Sequence, residues 1–505
     1  MKRSERPIVV LGAGPAGLGA AHWLAKAGHE VVVLEKEPRV GGMGASIRIK
    51  DYVVDYGPHT FHLKKTPVTE LFERLVGADT NRVRREARLW LQGKLLPFPL
   101  TLSVALTELN PLLSTRIIGD YLYERSLGRL SRPAGWKPAS FEAWGVQEFG
   151  RALYQLAFGD YSEKMWGLPG GELSVKLAKQ KLTGLSLRAL LLDVLGLLSK
   201  DRAEKLGLSR EVLYDAYPKM GIGTFFEAMA EEIRAMGGAI ELSAQLQSLD
   251  IVNGQAKQVT YTANGRLSAL GCEAVISSIP LAGLTRLLPA SDFAMSQHAA
   301  ARLAYRSLCV VHLVLDRDYF SNAHWIYLLD RQLVSNRLSE QKNLSRDSCP
   351  PGRTVVTFDI TCQHGDYLWK ADDSFLIGLA MHDLSVMGVH PRTVLDAFVL
   401  RAPNVYPVYS IGFEREVKTI LDQLQGCGNL FSIGRHGLLL NNDMHDSIEM
   451  GFFAARTFAE GQPSGAWYGI AERYVRERLE GIVRDPIRFD HDTGAIKDRE
   501  GVAVS

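Results

Sequence analysis

At 505 residues, with 46% hydrophobic and 23% charged side chains, the chain can form two or three domains with large cores and has the balance of a soluble globular protein. A formal net charge of +2 gives no general basis for binding a polyanion such as nucleic acid. The five cysteines, Cys272, Cys309, Cys349, Cys362 and Cys427, are scattered without a C-x-x-C, which predicts reduced thiols, no disulfide framework and no metal site.

The N-terminal MKRSERP runs directly into an apolar strand, and no run of roughly 18 uncharged apolar residues occurs. These features predict a cytoplasmic protein with no integral membrane segment. The nearest approach, 182–198, carries Arg188 and Asp193 and reads as a buried or amphipathic helix rather than a membrane-surface contact.

Ile8–Leu11 is a short apolar run, expected to be a buried strand. Gly12-Ala13-Gly14-Pro15-Ala16-Gly17 follows as G-x-G-x-x-G, and 16–27 has helical spacing ended by Gly28. A second strand then closes on Glu35. Each position has a physical reason. Gly12 permits the turn, Gly14 lets a pyrophosphate approach the backbone, and Gly17 lets helix and strand pack closely. The helix N-terminus offers free N–H groups to phosphate, and Glu35 stands where a carboxylate would accept from ribose hydroxyls. This is a dinucleotide site.

Downstream, Arg39-Val40-Gly41-Gly42 forms a turn, and 45–54 alternates like a hairpin. Asp55-Tyr56-Gly57-Pro58-His59-Thr60-Phe61-His62 makes a shaped loop with two histidines. Metal ligation by that pair lacks an evident third ligand. Residues 100–215 have helical patterning and read as an insert. Its Lys179, Lys181 and Arg188 read as solvated charges. The turn Pro218-Lys219-Met220-Gly221-Ile222-Gly223 returns to the first domain, and strands dominate from about 300 to 405. The last 25 or so residues read as a polar tail.

The predicted architecture is α/β: a Rossmann-type FAD domain, discontinuous in sequence, with a helical insert and a second, substrate-side sheet. Its expected parts are 1–100, 216–290 and 411–460 for the FAD domain, 101–215 for the insert, 291–410 for the second sheet, and 461–505 for a C-terminal helix and tail.

The Arg39-x-Gly41-Gly42 extension resembles that of FAD flavoproteins such as amine oxidases, protoporphyrinogen oxidases and UDP-galactopyranose mutases, and it points to FAD over NAD. GPHTFH at 57–62, GKLLPFPL at 93–100, DYSEKMWG at 160–167, NRLSEQKN at 336–343, Tyr406-Pro407-Val408, and GRHGLLLNNDM at 434–444 resemble segments of the mutases. The chain therefore looks like a distant UDP-galactopyranose mutase-like member of the amine oxidase superfamily. The resemblance implies catalytic roles for His59, His62, Arg337 and Trp166. It implies substrate contacts from Trp166, Asn336, Arg337 and Tyr406, with the arginine on a substrate diphosphate. Guanidinium suits that work because its fork makes two parallel hydrogen bonds. Cofactor contacts are expected from Gly12, Gly14, Ala16, Gly17, Glu35, Lys36, Arg39, Gly41, Gly42, Gly434, Arg435, Asp443, Met444 and Ser447.

The pattern departs at Leu439, Asn441 and Asn442, where mutases carry tyrosines, one of which contacts the diphosphate. The first functional reading is a nucleotide-sugar mutase, whose cofactor supplies the nucleophile to the anomeric carbon without net electron flow. The second is a net oxidoreductase acting on an amine, a porphyrinogen-like or polyene substrate, or a sugar. The third is a non-catalytic FAD-bearing scaffold, against which polar residues on the inferred flavin face argue. A small-molecule substrate and a possible homo-oligomer complete the expectations.

Overall fold

The computed structural model describes residues 6–63, 66–98, 104, 108–181, 214–480, 488–489 and 496–497. The GKLLPFPL segment beyond 98, Lys181's side chain, 182–213 with Arg188, and most of the tail lie outside them.

The strand β1 (Ile8–Leu11), the helix α1 (Pro15–Lys26) and the strand β2 (Val31–Leu34) form the expected unit. β1 is central in a parallel five-stranded sheet, in the order Ala239–Glu241, β2, β1, Ala274–Ser277, Leu430–Ser432. Every residue of β1 is buried, as expected when helices cover both faces of a parallel sheet. On one face α1 lies against the helix Met444–Ala459. A Cβ on Gly19 would come within 2.7 Å of the Ile448 carbonyl oxygen, and one on Gly451 within 2.6 Å of the Ala20 nitrogen. The two helices therefore touch backbone to backbone.

The second sheet has seven strands, in the order Val394–Pro407, Tyr305–Leu315, Thr354–Cys362, Arg337–Glu340, Trp325–Leu328, Ala87–Leu91, Lys94–Pro97. Its last two strands fall within the span that the sequence assigns to the FAD domain. Ala87–Leu91 instead runs parallel to Trp325–Leu328 and extends the substrate-side sheet. The described part of the insert is helical, including Pro111–Arg125, Phe141–Phe149 and Asp160–Trp166. The helical insert and the second sheet are pinned together by Lys164. Its Nζ donates to the carbonyl oxygens of Leu328, Leu333 and Ser335 at 2.8, 3.1 and 2.9 Å. Burial lowers this ammonium to about 8.

A buried polar network joins the hairpin Ser46–Ile49 and Tyr52–Asp55, the strand Tyr214–Pro218 and the turn that follows Arg337–Glu340. Ser46 Oγ and Tyr217 Oη donate to Asp55 at 2.5 and 2.8 Å, Asp55 N donates to Gln341 Oε1 at 2.8 Å, and Gln341 Nε2 donates to Tyr217 Oη. Burial pushes the Asp55 carboxyl up to about 6.

His312 sits inside the second sheet, fully buried and stacked on Phe398, with Nδ1 2.9 Å from Thr357 Oγ1. Burial pulls it from the ordinary 6.5 down to about 3. The unfolded chain takes up this proton below 6.5 and the folded chain does not, so stability is lost as pH falls through that window. At about pH 5 the loss from this residue is about 2 kcal/mol. Denaturant midpoints should show His312→Gln costing about 2 kcal/mol less at pH 5 than at neutral pH. An equal cost at both pH values would mean that the ring is protonated in the fold.

Candidate active site

A cavity of about 750 Å³ opens along the C-terminal ends of β1 and β2, where open α/β sheets bind ligands. Gly12 has φ of 95°, and a Cβ there would sit 2.6 Å from Ser278 Oγ. A Cβ on Gly17 would run into the Gly12 carbonyl oxygen, whereas one on Gly14 meets nothing within 4 Å. Gly17 thus serves packing, and Gly14 faces the open space that a pyrophosphate needs. Gly41, with φ of 98°, donates its N–H to the Ala13 carbonyl at 2.8 Å and seats the second turn under the first.

Glu35 is buried and accepts from Ala13 N at 2.7 Å and Glu37 N at 2.9 Å. Burial raises its carboxyl above the ordinary value against the pull of those amides. Each carboxylate oxygen keeps a lone pair for a ribose hydroxyl. Ala16, Lys36, Arg39 and Gly42 also line the cavity. From the far end of the chain come Arg435, Asp443, Met444 and Ser447. Gly434 lies behind them, where a Cβ would meet Ala16 Cβ at 2.6 Å. Arg435 Nε donates to the Asn442 carbonyl at 3.0 Å and folds its loop back on itself. Asp443 is the N-cap of the helix Met444–Ala459, whose N-terminal turn lines the cavity. The donor set and the space fit FAD.

His59 and His62 both line the cavity. His59 Nδ1 is buried with no hydrogen-bond partner. Burial, then the Arg337 and Arg435 charges, pull this ring down to about 3, so it is neutral at physiological pH. His62 Nδ1 lies 2.9 Å from Asp215 Oδ1, and Nε2 lies 3.9 Å from Asp443 Oδ2. Arg85 donates to Asp215 at 2.8 Å and also reaches His62 Nδ1 at 2.8 Å; Thr60 Oγ1 donates to the same carboxylate at 2.7 Å. Nδ1 can donate to Asp215 or accept from Arg85, and the choice sets whether Nε2 offers a lone pair or a proton. Burial works to raise Asp215, but the His62 hydrogen bond and the His62 and Arg85 charges outweigh it and hold the carboxyl below its ordinary value. Sequence reasoning missed Asp215 and Arg85. Nothing local marks them, because 153 residues separate Asp215 from His62.

Beyond the histidine loop, Trp166 and Tyr406 meet edge to face at 6.1 Å. Arg337 lies beside Tyr406, Tyr161 and Tyr327, and a Cβ on Gly57 would be 2.9 Å from Arg337 Nη2. Its guanidinium grips Asp359 Oδ2 through Nε at 2.8 Å and Nη2 at 2.5 Å. Burial pushes the Asp359 carboxyl up and Arg337 pulls the other way. Asp359 Oδ1 is buried without a partner. The two-pronged grip expected for a diphosphate thus falls on a carboxylate of the protein.

Asn336 is differently placed from the substrate-contacting position that the resemblance implies. It is 2% exposed, and its amide donates to Thr361 Oγ1 at 2.9 Å, whose hydroxyl in turn donates to the Lys164 carbonyl at 2.7 Å and ties the helix Asp160–Trp166 to the sheet. Other residues of NRLSEQKN are also internal. Glu340 accepts from Phe320 N, Ser321 N and Thr354 Oγ1, and Lys342 reaches Asp318 at 2.6 Å. Leu439 is fully buried at φ of 51° and does not line the cavity.

The family model of flavin-containing amine oxidoreductases matches residues 15–457. A reduced UDP-galactopyranose mutase structure superposes with a TM-score of 0.77 at 18% identity, over 93% of this chain and 99% of that one. A putative protoporphyrinogen oxidase from Exiguobacterium sp. 255-15 gives 0.67 at 16% identity, over 91% and 100%. Putrescine oxidase gives 0.61 at 17% identity, over 90% and 99%. These are likenesses of fold. In sequence, an L-amino acid oxidase of Crotalus durissus cumanensis is 43% identical over 83 residues, 16% of each chain. A probable UDP-galactopyranose mutase of Klebsiella pneumoniae is 23% identical over 180 residues, 35% of this chain and 45% of its own. The chain thus spans less than half the length of these curated relatives. With the glycine cradle, the Glu35 carboxylate and a family match across most of its length, this chain is an FAD-dependent enzyme of the flavin-containing amine oxidoreductase family.

Proposed function

We propose that the enzyme acts on a nucleotide-diphosphate sugar or a related polar, hydroxyl-bearing substrate, in the manner of UDP-galactopyranose mutases. The observation that carries this reading is the cluster of Trp166, Tyr406, Arg337 and His59 next to the cofactor cavity. FAD, when bound and reduced, would supply the nucleophilic or redox centre of the chemistry. The protein's part is positional. Tyr406, half-buried beside Arg337, is the ring of this cluster that a sugar or base would meet, with Trp166 packed behind it at 8% exposure. Neutral His59 presents a ring with no charge to desolvate, and His62, held between Asp215 and Asp443, can hold or pass a proton at Nε2.

A net oxidoreductase is the second reading, and two observations favour it. The Arg337 charge is already matched by Asp359, and Leu439 stands in the core where mutases place a phenol. Both features weaken a diphosphate site. The deciding experiment reduces the purified holoenzyme anaerobically and compares turnover of UDP-sugars with loss of electrons to oxygen. UDP-sugar interconversion without electron loss supports the first reading. Peroxide release from an amine, with no nucleotide binding in either redox state, rejects it.

In either case His62→Ala should lose turnover while FAD content, read from flavin absorbance per protein, stays at the wild-type level. Apoprotein from this variant would show instead that His62 anchors the cofactor.

A further inference from the structure

Nine of the eighteen large apolar side chains exposed among the described residues fall between Leu95 and Trp136, so exposure is concentrated in one stretch. Its centre is the helix Pro111–Arg125 with the short helix Leu127–Leu130. Ser114, Ile117 and Tyr121 face inward. Leu112, Leu122 and Tyr123 face outward at 82, 59 and 56% exposure, followed by Leu127 at 60% and Leu130 at 81%. Trp136, also exposed, closes the stretch and is stacked by Arg132 at 4.6 Å. Scattered single leucines on a surface need no explanation, but the concentration of half of the exposed large apolar side chains in this one stretch marks a candidate interaction site.

The charges say what kind. Between Pro111 and Lys137 every exposed charged residue is a cation: Arg116, Arg129 and Lys137. The carboxylates of the same stretch are turned to internal work. Asp120 accepts from Ala152 N at 2.9 Å, and Glu124 accepts from Arg132 at 2.6 Å. Exposed leucine and aromatic side chains beside cations that no exposed carboxylate opposes are the groups through which a protein surface meets an anionic lipid leaflet. Tyrosine and tryptophan are favoured there because one end is apolar and the other polar. Among the described residues no helix is long and apolar enough to cross a bilayer, so the contact would be peripheral.

We infer that 111–137 is a docking surface for an anionic lipid leaflet, with Leu112, Leu122, Leu127 and Leu130 entering the acyl boundary and Arg116, Arg129 and Lys137 meeting the headgroups. The site is separate from the flavin cavity, and the inference does not depend on the substrate.

The test is sedimentation of the holoenzyme with phosphatidylcholine vesicles, with and without about one-third phosphatidylglycerol. Binding should require the anionic lipid and weaken as ionic strength rises. Arg129→Gln should weaken it about fivefold, one charge's share of the surface attraction. Leu122→Glu/Leu127→Glu/Leu130→Glu should abolish it, with flavin content and thermal midpoint unchanged. The inference is overturned by absence of binding to either vesicle, or by equal binding to both. It is overturned too if the triple variant is destabilised, since the face is then packed by protein. A wild-type dimer that the triple variant converts to monomer would assign the face to a second copy instead.

Discussion

Asp359→Ala is expected to lower the stability of the holoenzyme by about 3 kcal/mol, the low end of the range for removing one partner of a buried ion pair. Asp359 is 2% exposed, and the Arg337 side chain that it neutralises is 22% exposed. Without the carboxylate a largely desolvated guanidinium faces Tyr161, Tyr327 and Tyr406 with no counter-charge. Partial access to water is the reason for choosing the low end. Arg337→Met on the same background should recover much of the loss, because it removes the orphaned charge. Chemical denaturation of the single and double variants measures both quantities. If the double variant is as unstable as Asp359→Ala alone, the carboxylate matters for packing and not for charge. A third variant reports on function. Asp359→Asn frees Arg337 for an anion, so UDP should bind more tightly to it if the proposed substrate class is right.

The second large effect separates two glycines of one motif. Gly17→Ala places a methyl group against the Gly12 carbonyl oxygen, and neither atom belongs to a side chain that can rotate away. Helix α1 must then lift from β1, which costs on the order of 1–3 kcal/mol or more and spoils the phosphate cradle. Gly14→Ala meets no protein atom within 4 Å. It should leave the apoprotein's thermal midpoint unchanged and weaken FAD, because its methyl occupies the space through which phosphate approaches. Thermal midpoints of the apoproteins, with flavin titration of each, test the contrast. Equal destabilisation of both apoproteins would sink it.

Local patterns carried the part of this molecule that local physics controls. The β1–α1–β2 unit was legible because turn, helix start and acid all lie within 28 residues, each with its own chemical reason. The hairpin Ser46–Ile49 and Tyr52–Asp55 showed in simple alternation. Partnerships across the chain left no such trace. Asp55 reaches Gln341 over 286 residues, and the signature that flagged Gln341 and Asn336 reported their presence without saying which way each faces. Alternation in Arg337–Glu340 puts Arg337 and Ser339 on one face and Leu338 and Glu340 on the other, yet Glu340 is internal because two backbone amides of 320–321 reach it. The placement of Ala87–Leu91 failed for the same reason, since its neighbour Trp325–Leu328 lies more than 200 residues away.

The backbone contact between Gly19 and Gly451 has a consequence for biosynthesis. The first strand and helix leave the ribosome early, but the surface that covers α1 is encoded more than 400 residues later. At about 5–20 residues per second, that interval lasts roughly 20 to 90 seconds. During it the nascent βαβ unit has its glycine cradle but not Arg435, Asp443 or Met444, so it can hold only part of the flavin. Complete cofactor capture therefore waits for the helix Met444–Ala459, and a chain interrupted before it should emerge colourless and dependent on chaperones.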